Sequence, residues 1–430
     1  MKIDFFKLRE RGTSVRTECL AGVTTFMTMS YILAVNPLIL SQAGMPAGSV
    51  FTATVLSSVF AMLVMGLLAN LPIALAPAMG LNAFFAYTVC IKMGYPYQLA
   101  LTAVFCEGIV FLLMSVFNIR ESIVNAIPLF LKKAVTAGIG LFIAFIGLQS
   151  AGIVVASPET LVSAGSLASA KPALALFGLA LLVVMFIRRV KSAFLIGIFV
   201  LTLLGIPLGL TQVPENFSVF SRPEKPLLFD FMPEKILSFD FFIVFFTFFF
   251  LDLFDTIGTF VGIASQSGLA ESDGAIRNLK QGLLADALGT TAGAALGTST
   301  VSSYIESASG VAAGGRTGLT SLTVAALFAA ALFLSPLFML IPPVATAPVL
   351  IMVGFLMMAP IREIDFSDYA VGLPAFMTIL MMPLAYSIAE GIVFGILSYV
   401  VCQSALGKGR NVSPTAWILS AVFLMWLFLR

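Results

Sequence analysis

Apolar residues run along this chain in long blocks, punctuated by Gly, Pro and charged residues. Read as helices, the blocks predict fourteen membrane segments. They lie near 17–38, 50–70, 73–90, 97–117, 129–150, 172–188, 192–211, 240–266, 279–297, 300–315, 318–340, 344–360, 368–385 and 387–405. Hydropathy alone misses the tenth, which is placed by an internal repeat. Two stretches are not simple spans. Ile119–Ile127 reads as a short amphipathic helix on the inner face. The apolar tail Thr415–Leu429 reaches only about 22 Å as a helix, which suits an interfacial or packed helix as well as a crossing. The segments divide the chain into an N-terminal stretch 1–16, a seven-segment half 17–211, a loop 212–239, a second seven-segment half 240–405 and a tail 406–430.

Composition fits this pattern. The chain has 430 residues, 60% of them hydrophobic and 10% charged, enough apolar residues for about 13 spans of roughly 20 each. That excludes a soluble enzyme, a disordered chain and a nucleic-acid binder, and a net charge of +2 gives no steering toward polyanions. The absence of histidine removes Ser-His catalysis, His-metal sites and histidine proton relays. The four cysteines, Cys19, Cys90, Cys106 and Cys402, fit no metal or disulfide spacing. The N-terminus Met1–Arg16 is basic and leads into the span series, with no cleavable signal peptide visible. With that end inside, 17 Lys and Arg residues lie on inner segments. Five lie outside: Lys92, Lys171, Arg222, Lys225 and Lys235. This bias predicts a multi-pass cell (inner) membrane protein with both termini cytoplasmic.

Ser41-Gln42-Ala43-Gly44 after the first span matches Ser265-Gln266-Ser267-Gly268 after the eighth. Sliding the chain by this offset pairs Asn82 with Glu306 and Tyr31 with Asp255, and both halves then carry a polar, broken segment in the same place. Seven spans separate the copies, so the halves have inverted topology. Irregular backbone at membrane depth belongs where it is buried in protein or lines a cavity, which makes the third and tenth segments the best pointer to a binding site. Gly and Pro that merely ease helix packing account for most of the 35 glycines but not for this correspondence.

Seven acids fall inside predicted spans: Glu18, Glu107, Asp252, Asp255, Asp286, Glu306 and Glu390. No basic residue lies in mid-span. A carboxylate there must be protonated, hydrogen-bonded, hydrated or neutralised by a cation. Asp252 and Asp255 are three apart on one helix face, where two carboxylates share at least one proton. Asp255 borders a polar face with Thr256, Gly258 and Thr259, whereas Asp252 reads as a packing or network residue. Glu306 lies among Ser, Thr and Gly; its simplest alternative is an extramembrane loop. Asn82, alone in an apolar stretch, calls for a polar partner, and facing Glu306 across a pseudo-two-fold would supply one. Glu107 and Glu390 read as residues that pack against neighbours or meet the inner gate, Asp286 as a tie between segments, Glu18 as a structural residue at a membrane edge, and the Phe-rich run 241–250 as a packing or lipid-facing surface.

Residues 11–37 (RGTSVRTECLAGVTTFMTMSYILAVNP), 70–87 (NLPIALAPAMGLNAFFAY) and 285–318 (ADALGTTAGAALGTSTVSSYIESASGVAAGGRTG) resemble the adenine/guanine/hypoxanthine permeases. These form the azaguanine-resistance-like branch of the nucleobase–cation symporter family, and the resemblance runs over roughly residues 5 to 405. It implies an all-α polytopic fold of fourteen segments in two inverted repeats. Short mid-membrane strands in segments 3 and 10 each precede a half-helix, and core and gate domains move against each other. It also implies import of purine bases by symport with a proton, or with sodium in its place, and allows a homodimer. No other cofactor and no metal site is implied. The substrate set that follows is Glu306, Asp255, Asn82, Tyr304, Ser303 and Met79, with Asp255 and Asp252 in proton coupling. An anion carrier of the same fold is the main alternative, but it should offer basic or neutral groups where this chain has Asp255 and Glu306. Adenine and the 6-oxopurines remain undivided at this point, because either can present a different edge to a carboxylate.

Overall fold

The computed structural model describes residues 5–117, 128–190, 192–214, 217–267 and 278–429. The expected amphipathic helix 119–127 lies outside them, as does Gly268 of the Ser-Gln repeat. In chain order the first elements are α1 (Val15–Met29), α2 (Ile32–Ser41), α3 (Ala47–Val64), β1 (Leu75–Pro77), α4 (Met79–Ala83), α5 (Tyr97–Phe117) and α6 (Leu129–Ser150). A hairpin of β2 (Val154–Ser157) and β3 (Leu161–Ala164) precedes α7 (Ala170–Ile187), α8 (Ala193–Gly205), α9 (Phe239–Ser267) and α10 (Leu279–Leu296). Then come β4 (Val301–Ser303), α11 (Ser307–Ala312), α12 (Gly318–Ala331), α13 (Ser335–Met339), α14 (Pro343–Met357), α15 (Tyr369–Leu384), α16 (Ile388–Ala405) and α17 (Pro414–Leu429). Among the described residues, 8 helical stretches are long and apolar enough to cross a membrane. The protein is a helical, multi-pass membrane protein.

Several segments depart from a single continuous helix. The first breaks at Ser30-Tyr31, where the Leu33 N–H returns to the Ser30 carbonyl, three residues back. The third is a three-residue strand followed by α4, which runs on without a break as a π-helix over Phe84–Lys92, and the tenth is a three-residue strand followed by a short helix. The eleventh is interrupted by a 3-10 turn at Leu332–Leu334. The exposed hairpin at 154–164 was not anticipated, because four-residue strands are too short to display a period.

The chain folds as two compact units that do not follow its sequence halves: residues 1–118 with 168–346, and residues 119–167 with 347–430. In the first unit, glycines let helices approach closely. A Cβ on Gly310 would lie 2.1 Å from Thr25 Oγ1, which seats α11 against α1. A Cβ on Gly318 would lie 2.1 Å from the Gly66 carbonyl oxygen. Buried Glu18 on α1 accepts the Arg316 and Thr317 N–H groups at 2.9 and 3.2 Å, and Asn70 Oδ1 accepts the Gly318 N–H at 2.7 Å. Together they satisfy donors at the start of α12 that the helix cannot bond itself. In the second unit, Gly138, Gly354 and Gly395 bring α6, α14, α15 and α16 together in the same way. Ala134, Ala137, Ile364, Ala375 and Ile379 form its core, and Val412 and Ala416 pack the start of α17 on Tyr399 and Val400.

Candidate functional site

The site is built on the crossing of β1 and β4, inside the first unit. The strands are antiparallel, with Leu75 opposite Ser303, Ala76 opposite Ser302 and Pro77 opposite Val301. Two further bonds extend the ladder symmetrically: Tyr304 N–H to the Ala74 carbonyl and Ala78 N–H to the Thr300 carbonyl, both 3.0 Å. These bonds satisfy backbone groups that are otherwise costly to bury. Each strand is too short for more pairing, and each leads into a helical stretch that begins at α4 or α11.

This register corrects the sequence alignment of the halves. The local two-fold superimposes Leu75 on Val301 and Ala78 on Tyr304, two residues beyond the offset set by the Ser-Gln repeats. Glu306 therefore matches Gly80, and Asn82 matches Ala308. Asn82 and Glu306 are not a facing pair. Asn82 is fully buried, with Oδ1 accepting from the Ser299 hydroxyl at the opposite end of the crossing from Glu306. Asn36 lies in the same polar layer and donates to Thr54 Oγ1 at 2.7 Å and Thr298 Oγ1 at 2.9 Å.

Glu306 stands at the head of α11, half-buried, and its Oε1 accepts from the Tyr31 phenol at 2.8 Å. Tyr31 comes from the break between α1 and α2 and packs edge-on against Phe194, with ring centroids 5.2 Å apart. Tyr304, expected to contact a base, donates its phenol proton to the Pro77 carbonyl at 2.6 Å, tying the strands together. Met79 and Ser303 are buried nearby in the chain, and Ser303 Oγ has no hydrogen-bond partner among the described residues.

A second group surrounds Ser302. Half-buried Asp255 on α9 accepts from the Ser302 hydroxyl. The Thr256 hydroxyl lies 2.9 Å from Ser302 Oγ, 3.1 Å from Asp252 Oδ1 and 3.0 Å from Asp286 Oδ2. Asp286 also accepts the Ser303 N–H at 3.1 Å. The acids on α9 and α10 are thus linked to β4 through Thr256. Asp252 belongs to this buried network, one helical turn before Thr256. On α5, buried Glu107 accepts from Thr300 Oγ1 at 3.1 Å, at the Asn82 end of the crossing.

Sequence reading missed Tyr31 as a site residue, placed Thr256 only on a polar face beside Asp255, and gave Glu107 a packing or inner-gate role and Asp286 a role tying segments together. The available signal was polarity: Tyr31 and Thr256 each interrupt an apolar run. Sequence alone does not show that such a hydroxyl faces an acid from another helix.

Comparison with known proteins fits this architecture. The transmembrane domain of the cyanobacterium bicarbonate transporter BicA matches with a TM-score of 0.66 at 16% identity, over 87% of this chain and 97% of that one, and so shares the fold. The adenine permease AdeP of Escherichia coli (strain K12) is 44% identical over 98% of this chain and 94% of its own length. The guanine/hypoxanthine permease PbuO of Bacillus subtilis (strain 168) is 42% identical over 99% of this chain and 100% of its own. Residues 16–394 match Xan_ur_permease, described as a permease family. The chain belongs to that family and is a permease rather than an enzyme.

Proposed function

We propose that this protein imports purine nucleobases by proton symport, through an alternating-access cycle of fourteen segments in two inverted repeats. The observation that carries the reading is Glu306: a carboxylate at the head of a half-helix beside crossed strands, oriented by a phenol. An ionised carboxylate accepts N–H groups only, and every purine base offers N–H donors on its rim. The names of the relatives support the same substrate class, since AdeP is an adenine permease and PbuO a guanine/hypoxanthine permease.

The proposed cycle begins as a base docks against Glu306. Asp255, bonded to Ser302 beside the crossing, takes up a proton from outside and releases it inside. The groups involved lie within one compact unit, so that unit serves as the core and carries the loaded site intact between the two faces. The fold likeness to BicA raises an anion carrier as an alternative. It is disfavoured because Glu306 and Asp255 repel an anion. The test is accumulation of labelled hypoxanthine by cells otherwise lacking purine uptake. Glu306→Gln should abolish accumulation, because the amide presents a donor in place of one acceptor. Asp255→Asn should abolish gradient-driven accumulation. Normal accumulation by both variants contradicts the assignment.

A further inference from the structure

We infer that the site selects a purine edge made of hydrogen-bond donors, as in guanine and hypoxanthine, over the mixed edge of adenine, and that Tyr31 sets this preference. The inference rests on the purine reading above and deepens it. A phenol carries one proton and two acceptor lone pairs. The Tyr31 proton goes to Glu306 Oε1 and the Tyr304 proton to the Pro77 carbonyl. With their protons committed inside the protein, both phenol oxygens have only lone pairs left to offer.

The backbone donors of Tyr304 and of the first turn of α11 are committed as well. The Tyr304 N–H pairs with Ala74, and the Ser307, Ala308 and Ser309 N–H groups bond the carbonyls of residues 304, 305 and 306. Nearby, the Ser302 hydroxyl is given to Asp255, while the Ser303 hydroxyl remains without a partner among the described residues. On the α11 side of the crossing the groups beside Glu306 therefore offer mainly acceptors, with the Ser303 hydroxyl still free to donate.

Guanine meets this inventory with adjacent N1–H and N2–H₂ donors, and hypoxanthine with N1–H; each adds one carbonyl acceptor, O6, on that side. Adenine sets its N6 amine between the acceptors N1 and N7, which would face lone pairs here. Tyr31 contributes twice. It fixes the Glu306 carboxylate, and it adds an acceptor oxygen whose own proton is already used.

The test is competition against labelled hypoxanthine binding to the full-length protein in membranes, with guanine and adenine as competitors. In the wild type, guanine should half-displace the label at about ten-fold lower concentration than adenine, the scale of one lost charged hydrogen bond. Tyr31→Phe keeps the ring against Phe194 and removes the hydroxyl. It should weaken guanine more than adenine and bring the two toward equality. Adenine competing as well as guanine in the wild type, or an unchanged ratio in Tyr31→Phe, overturns the inference. If neither purine competes, the purine reading itself falls.

Discussion

At the scale of the residue, the site depends on hydroxyls that serve several acids at once. Thr256 contacts Asp252, Asp286 and Ser302 within 3.1 Å. Replacing Thr256 with Val keeps the shape and removes all three contacts. The buried groups left behind should cost about 1–3 kcal/mol, read as a lower thermal midpoint of the purified protein. An unchanged midpoint would show that the hydroxyl does not hold the network. Asp255 and Glu306 were legible in sequence, because a carboxylate in an apolar segment has few physical explanations. Tyr31 was not, and neither were the partners of Thr256, because hydroxyl residues occur throughout apolar helices and their partners here lie on distant segments.

At the scale of the element, close helix approach and strand register decide where those residues stand. The Gly318–Gly66 contact is backbone against backbone, so a methyl group has no flexible neighbour to displace. Gly318→Ala should therefore destabilise the protein by about 1–3 kcal/mol through overpacking, measured by thermal unfolding. A midpoint equal to wild type would contradict the packing described. The broken nature of the two segments was legible from Pro77 and Gly80 in the third and from the Ser, Thr and Gly content of the tenth. Their pairing register was not. A three-residue strand shows no period, and the Ser-Gln repeats lie too far away to fix the register at the crossing. The two-residue difference moved Asn82 from a partner of Glu306 to a buried partner of Ser299.

At the scale of the whole molecule, the two compact units interleave the sequence halves, with 168–346 joining 1–118 and 347–430 joining 119–167. Linear reading divides the chain at the long loop, because hydropathy reports where spans lie and not which spans pack together. Glu306, Tyr31, Asp255 and the crossed strands nonetheless all fall within one unit. A site assembled within one unit can move with that unit, and this gives the central claim its direct test. The purified protein would be reconstituted in vesicles preloaded with unlabelled hypoxanthine, and entry of labelled hypoxanthine measured from outside. Saturable entry that depends on the internal load and is lost in Glu306→Gln is the predicted result. Entry that does not saturate, or that persists unchanged in Glu306→Gln, would contradict the assignment of a purine carrier centred on Glu306.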